Sequence, residues 1–432
     1  MTSPSRRRSL RSADDDAAVG AAAGAPVGPA AGTPAGSAAG RREARWHGAL
    51  DLLEEVRREP GLTRAEAARR LGLSSGSATE IAARLRAHEL LVESPAPISG
   101  RGRPTTTLHS HPRGPVVAAV DIRHEDWRCA VAHLDGTLDH VATHRHASRE
   151  ADAVLGEIAA TLRDLRRRYR HRLRAVSVAV AGTVRSGRLM QAAALGWGPV
   201  DLSSILPDPA LPLLVGNDAT LAGVAEARDG AGRGLETVLH LTVEVGIGGV
   251  LVVGGVPISG SGGAGGEYGH LPLGDRSLRC PCGAYGCWDL EVDGRALARH
   301  LGAAPPADPR RFARAVLADA ARDEHARAAT QRVAAALAAG IAGLVNAHAP
   351  DAVTLGGLAA PIRAAAEPEF EAAYLRGLMA FRRLEPTPLY AAALGEDGVL
   401  TGAAASALDL VLCEAGLTAW AAEAARAANT AG

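Results

Sequence analysis

The stretch Gly269-His270-Leu271-Pro272-Leu273-Gly274-Asp275-Arg276-Ser277-Leu278-Arg279-Cys280-Pro281-Cys282-Gly283-Ala284-Tyr285-Gly286-Cys287 decides how the rest of the chain is read. It places one imidazole, His270, ahead of three thiols, Cys280, Cys282 and Cys287. Four such ligands fill a tetrahedral shell and leave no open position, the pattern of a structural Zn2+ site and not of a catalytic one. Gly283 and Gly286 let the loop fold back so that Cys287 joins the other thiolates. The competing reading is a set of reduced thiols or a disulfide. No signal peptide is read, so a stable disulfide is not expected. The other two cysteines, Cys129 and Cys413, sit alone in apolar runs and read as small core residues.

The 432 residues suit two or three domains, and 47% hydrophobic residues suffice for sizeable cores. The chain has no lysine, which excludes a Walker-A lysine and Schiff-base chemistry. The formal net charge is +0, so any grip on nucleic acid has to come from a local patch. No uninterrupted apolar run is long enough to span a bilayer. The arginines of Ser5 to Leu10 are followed by Asp14-Asp15-Asp16 and a Gly/Pro-rich tract, not by the apolar region of an export signal. The expectation is a cytoplasmic protein without a membrane partner, whose residues 1–42 form a disordered Ala/Gly/Pro-rich tail.

Helical periodicity begins at Arg45, with Leu50, Leu53 and Val56 on one face. Pro60-Gly61 ends that helix. Thr63-Arg64-Ala65-Glu66 is a capping box that opens a second helix, which runs to Leu71. Ser74 or Ser75 caps a third, running to about His88, with Ile81 and Leu85 facing inward. Two short helices, a tight turn and a third helix make a helix-turn-helix pattern. Leu90 to Glu93 and Thr105 to Leu108 add a hairpin, and hence a wing, with the tip Gly100-Arg101-Gly102-Arg103-Pro104. Such a tip suits phosphates or a narrow minor groove. Residues 43–112 therefore read as a winged helix-turn-helix domain for double-stranded DNA. Its candidate contacts are Ser75, Ser77, Thr79, Arg84, Arg101 and Arg103. The competing reading is a protein-binding helical trimer with a solvated arginine face.

Beyond it, strand signals run over Pro115 to Asp121, Cys129 to His133, Leu138 to Thr143 and Arg174 to Ala181, with a helix over Ala151 to Arg170. Later strand signals lie at Thr237 to Leu241, Val250 to Val253 and Ala352 to Leu355. A long Ala-rich helix covers Ala326 to His348. With its lead-in Gly-Gly-Ala-Gly-Gly-Glu-Tyr-Gly-His, the cysteine stretch closely resembles the zinc motif of the ROK family of bacterial sugar kinases and sugar-responsive repressors. The resemblance runs from about Arg45 to the C-terminal helix. It implies an α/β fold, the two-lobed ribonuclease H/actin-like body of sugar kinases. The first lobe would span 113–218, with a helix at about 402–428 packing back on it, and the second 219–401. The N-terminal module resembles the one that the family's repressors carry and its kinases lack.

The resemblance also implies site residues. Val215-Gly216-Asn217-Asp218 matches the family's Asn-Asp pair. Its aspartate deprotonates the sugar hydroxyl in kinases and accepts a hydrogen bond from it in repressors. The competing reading is a helix cap. Asn217, Asp218, Glu267 and His270 are the implied sugar ligands, and His270 would bind metal through one ring nitrogen and ligand through the other. Three departures stand out. Asp121-Ile122-Arg123-His124-Glu125 replaces Asp-x-Gly-x-Thr. Glu244-Val245-Gly246-Ile247-Gly248 replaces Gly-Thr-Gly-x-Gly. Both bring carboxylates to the place of a triphosphate. Ala193-Ala194-Leu195-Gly196-Trp197 stands where the family has Pro-Asn-Leu-x-x-Trp, without the asparagine. The expected function is a transcriptional regulator, a repressor of carbohydrate genes, without kinase activity and with Asp218 as a vestigial base. It would respond to a sugar or sugar-phosphate effector and act as a homodimer or homotetramer. The alternatives are an ATP-dependent ROK sugar kinase and a protein-binding scaffold.

Overall fold

The computed structural model describes residues 46–96, 106–263 and 265–431. The tail at 1–42 and the wing tip with Arg101 and Arg103 lie outside the described residues.

The head begins with α1 (His47–Arg58), which buries Ala49, Leu52, Leu53 and Val56. A two-residue strand, β1 (Leu62–Thr63), leads into α2 (Arg64–Arg70). The capping box forms as its spacing predicts: Thr63 accepts from the Glu66 amide, and the Glu66 side chain accepts from the Thr63 amide. Ser74 caps α3 (Ser75–Ala87), which turns Ala78, Ala82 and Leu85 inward. The wing strands β2 (Leu91–Pro95) and β3 (Thr106–Ser110) pair antiparallel, and β1 adds to β3 in the order β1-β3-β2.

The first body sheet has the order β10-β7-β4-β5-β6. Its strands are β4 (Val116–Ile122), β5 (Asp126–Ala132), β6 (Leu138–Arg145), β7 (Leu173–Val180) and β10 (Leu213–Asn217). β4 is buried along its whole length, and β4, β7 and β10 run parallel. One face is covered by α4 (Ala151–Tyr169), whose buried Val154, Ile158, Leu162 and Leu165 follow a helical period. A side hairpin, β8 (Thr183–Arg185) and β9 (Arg188–Gln191), projects beyond β7. From β10 the chain enters α5 (Asp218–Arg228) and crosses to the second sheet. That sheet has the order β13-β12-β11-β14-β15, built from β11 (Thr237–Glu244), β12 (Gly246–Val253), β13 (Val256–Pro257), β14 (Ala352–Gly357) and β15 (Leu389–Ala391). It is packed by α6 (Gly294–His300), α7 (Pro309–Asp319), α8 (Glu324–His348), α9 (Ala359–Ala365) and α10 (Glu367–Gly377).

By length and apolarity α8 could cross a membrane, but it packs inside this core, burying Val333, Leu337, Ile341 and Val345. Two final helices, α11 (Gly398–Val411) and α12 (Glu414–Ala431), return to the first lobe. They join head and body in one core. Leu52, Leu85 and Leu91 of the head share a cluster with Val117 and Ala175 of the sheet and with Leu408, Leu417 and Trp420 of the C-terminal helices. Cys129 is buried as its apolar setting predicts, but Cys413 is not a core residue. It is half-buried at the α11–α12 turn, where its sulfur donates to the Leu410 carbonyl and accepts from the Gly416 amide.

Candidate functional site

A cleft of about 640 Å³ opens between the two sheets. Its floor is the end of β10 and the start of α5. Asn217 caps α5, accepting from the Thr220 amide at 3.0 Å and donating to the Gly182 carbonyl at 3.0 Å. The Asp218 carboxylate accepts from the Ala219 amide at 2.9 Å. Burial pushes the Asp218 pKa up to about 7, and the fields of Asp121 and Glu244 add to it. Asn217 thus caps the helix, as the cap reading has it, while Asp218 lines the cleft.

On one side of Asp218 stands the cysteine loop. The ligand atoms of His270, Cys280, Cys282 and Cys287 lie within 4.8 Å of one another. Cys282 Sγ is 3.7 Å from Cys287 Sγ, and Cys280 Sγ is 3.8 Å from His270 Nδ1. Tetrahedral zinc with Zn–S bonds of about 2.3 Å has sulfur–sulfur edges of about 3.8 Å, so this donor set fits such an ion. Gly283 adopts φ 99°, in the left-handed region, where the chain turns between the thiols. His270 turns Nδ1 to the thiols and leaves Nε2 3.8 Å from Glu267 Oε2. Asp289 ties this loop to the glycine loop, accepting from the Ile247 amide at 2.6 Å. A Cβ on Gly269 would lie 2.0 Å from Asp289 Oδ1, which requires glycine there.

On the other side, the turns at Asp121–Glu125 and Glu244–Gly248 are lined by charged side chains. Asp121 is fully buried and accepts from Arg128 at 2.9 Å. Arg123 makes a two-point contact with Asp126, at 2.7 and 2.8 Å. Glu244 Oε2 lies 2.8 Å from Arg310 Nε as an ion pair, though not aligned as a hydrogen bond. Arg310 and Arg314 both reach Glu396, at 3.2 and 3.1 Å, and Arg128 reaches Asp397 at 3.2 Å. Burial drives the Glu244 carboxyl above its usual range, against the pull of Arg310. Arg128, Arg310, Arg314, Glu396 and Asp397 carried no local signal. Arg128 on β5, Arg310 and Arg314 on α7, and Glu396 before α11 line the cleft, with Asp397 behind them on Arg128, and the fold alone brings these distant segments together.

In the head, Ser75, Ser77 and Thr79 are exposed on α3, and Arg84 is half-buried on the same helix. Ser77 pairs with the Ser74 hydroxyl at 2.8 Å, Thr79 donates to the Ser75 carbonyl, and Arg84 pairs with Glu80 at 3.0 Å.

Comparison with known proteins places this geometry. The ROK family profile matches residues 117–409, and the MarR family profile matches 47–102. A glucokinase of Streptomyces coelicolor is 31% identical over 163 residues, 37% of this chain and 51% of the relative, so the match spans about half of that enzyme. The xylose repressor of Bacillus spizizenii is 22% identical over 259 residues, 58% of this chain and 66% of the relative. A solved ROK family transcriptional regulator, a homologue of the E. coli MLC protein, superposes with a TM-score of 0.69 at 20% identity. That superposition covers 87% of this chain and 98% of the other, a likeness of fold that takes in the head as well as the body. By the span of its body and the motif it carries there, the chain belongs to the ROK family.

Proposed function

We propose that the chain is a sequence-specific, DNA-binding transcriptional regulator that reads a sugar or sugar-phosphate in a kinase-like cleft and does not phosphorylate it. The observation that carries this reading is the filled half of the cleft. Arg123, Arg128, Arg310 and Arg314 are already engaged by Asp121, Asp126, Glu244, Glu396 and Asp397. A nucleotide would have to break these pairs and face Glu125 and Glu244 as well. The winged head supports the same reading, with its small, polar recognition face on α3. Its units are the head at 43–112, the first lobe at 113–218 with the returning helix at 402–428, and the second lobe at 219–401. Asn217, Asp218, Glu267 and His270 contact the sugar. Ser75, Ser77, Thr79, Arg84, Arg101 and Arg103 contact DNA.

His270, Cys280, Cys282 and Cys287 hold a structural Zn2+, which fixes the loop that presents Glu267. Two copies act together on paired half-sites, as a homodimer or homotetramer, and the target genes serve carbohydrate metabolism under repression. The test is a gel shift on the gene's own upstream region, at low salt with zinc present, against a panel beginning with glucose and xylose. Those sugars come first because of the relatives' names. A shifted band that one sugar changes supports the reading, and no shift on any candidate duplex overturns it.

One observation favours a kinase instead: Asp218, with its pKa near 7, is poised as a general base. Coupled ADP release with the same sugars separates the two readings, and turnover would establish the kinase.

A further inference from the structure

Three carboxylates line the cleft with an oxygen to spare. Asp121 and Asp218 stand at the carboxyl ends of β4 and β10, parallel strands with β7 between them. That end of such a sheet is where ligands are taken. Asp121 is fully buried. Arg128 holds one of its oxygens at 2.9 Å, and the other, Oδ1, has no hydrogen-bond partner. Asp218 accepts from the Ala219 amide, and among the described residues no side chain donates to it. Glu125 Oε1 is buried too, with the His124 ring nitrogen 3.4 Å away and not aligned as a hydrogen bond.

The cations of the cleft are committed elsewhere. Carboxylates outnumber arginines in its lining. Arg123 is held by Asp126, Arg128 also by Asp397 and Arg295 by Asp293, three acids that lie outside the lining. Arg310 and Arg314 meet at Glu396. Burial raises the carboxyls of both Asp121 and Asp218, as expected where acids outnumber the cations that oppose their desolvation. The charged groups left uncommitted are therefore acceptors. A phosphate brings only more acceptors and negative charge, and is repelled here. A neutral hydroxyl donates one hydrogen bond and brings no charge. An ammonium group brings three donors, no acceptor and the missing sign of charge.

Resting on the reading of the cleft as a sugar sensor, we infer that its ligand is an amino sugar with a free, protonated amine. The ammonium pairs with Asp218, and Asp121 and Glu125 add to the pull. The hydroxyls fall to Asn217, Glu267 and His270. The cleft then separates an amino sugar from its neutral parent by charge, from its N-acetyl derivative by the loss of that charge, and from a sugar phosphate by its sign.

The test is calorimetric titration of the full-length chain at neutral pH with matched pairs: glucose and glucosamine, mannose and mannosamine, galactose and galactosamine. The 3- and 6-amino-deoxy analogues of glucose and glucose 6-phosphate complete the panel. The expectation is that one amine binds about tenfold or more tightly than its parent sugar, that N-acetylation removes the advantage, and that the phosphate binds no better than glucose. Asp218→Asn should bring the amine and its parent within about twofold of each other. A purely structural Asp218 would weaken both ligands alike and leave their ratio unchanged. If Asp218→Asn fails to fold, Glu125→Gln should lower the same ratio about threefold. Equal affinities within every pair, a tighter phosphate, or a preference for the amine that survives both substitutions overturns the inference and leaves the sugar-sensing reading standing. So does a titration with magnesium chloride alone whose heat Asp218→Asn abolishes, which would assign these carboxylates to a divalent cation. A chain that binds none of the sugars overturns the sugar-sensing reading, and the inference with it.

Discussion

Asp121 raises the proton affinity of Asp218, two strands away, while its own charge is held by Arg128 at 2.9 Å. Among the described residues no ion pair reaches Asp218. Burial raises the pKa of both carboxyls, and only that of Asp121 is opposed by a paired arginine. The consequence for stability has a definite sign. Asp218 titrates near 7 in the folded chain, against 3.8 as its ordinary value. Between about pH 4 and 7 the native state holds a proton that the unfolded chain has released, so stability falls as pH rises through that window and levels off above it. Asp218→Asn removes this slope. Urea midpoints of the parent and variant, taken from pH 4 to 9, should differ by an amount that changes up to about pH 7 and is then constant. A constant difference throughout would place the Asp218 pKa in the ordinary range.

Metal removal tests the cysteine loop. Cys282 and Cys287 already sit at the sulfur–sulfur spacing that zinc requires. Metal analysis of the purified chain should give one zinc per chain. Cys282→Ser should lose it and lower the Tm on the order of 10 °C, since coordination energy is folding energy in such loops. A strong chelator should lower the Tm of the parent to that of the variant. If the variant keeps its zinc, the ligand set is wrong.

The Arg310–Glu244 pair offers a third test. Glu244 is partly desolvated, and without Arg310 its carboxyl has lost the cation that most opposes its burial. The pair remains partly open to solvent, which moderates the cost. Arg310→Ala should therefore destabilise the chain by about 1–2 kcal/mol, and Glu244→Gln in the same background should recover most of it. Additive losses would mean that the pair contributes nothing as a pair.

These sites differ in how far the sequence reveals them. The capping box at Thr63–Glu66, the third helix from Ser75 and the cysteine loop depend on spacings of a few residues, and the structure forms each where the spacing puts it. Strands β4, β7 and β11 announce themselves as apolar runs with strand-like residues. The filled half of the cleft had no such signature. Glu125 and Glu244 showed as departures from a family pattern, but Arg310 lies 86 residues from Glu396, and nothing local in α7 marks an arginine as bound for the cleft. The joint between head and body is equally non-local: Trp46 donates to Thr418 across 372 residues. Cys413 misled because an apolar neighbourhood in sequence does not separate a core position from a helix–helix turn.

That joint predicts cooperative unfolding. Trp420 is 1% exposed, donates to the His88 carbonyl at 2.7 Å and stacks on His171. It belongs to the same core as Leu52 and Leu85 of the head. Trp420→Ala should cost about 3–5 kcal/mol and split a single thermal transition into two, with the head melting first. A single transition in both proteins would mean that the head is held by other contacts.

Helix α3, proposed above to face DNA, supplies the last prediction. Arg84 lies on α3 near exposed Ser77 and Thr79, and its guanidinium is 3.0 Å from Glu80 Oε1. A pair whose carboxylate is open to solvent is weak and is readily exchanged for a phosphate or a base edge. Arg84→Ala should weaken binding to a selected duplex about tenfold at 0.1 M salt. If Arg84 meets a phosphate, the slope of log Kd against log salt falls by about one and all sequences weaken alike. If it reads a base, the slope is nearly kept and specificity relaxes at one position. Glu80→Ala removes its competitor and should tighten binding in either case. Unchanged affinity in Arg84→Ala would move the DNA contact to another face of the head.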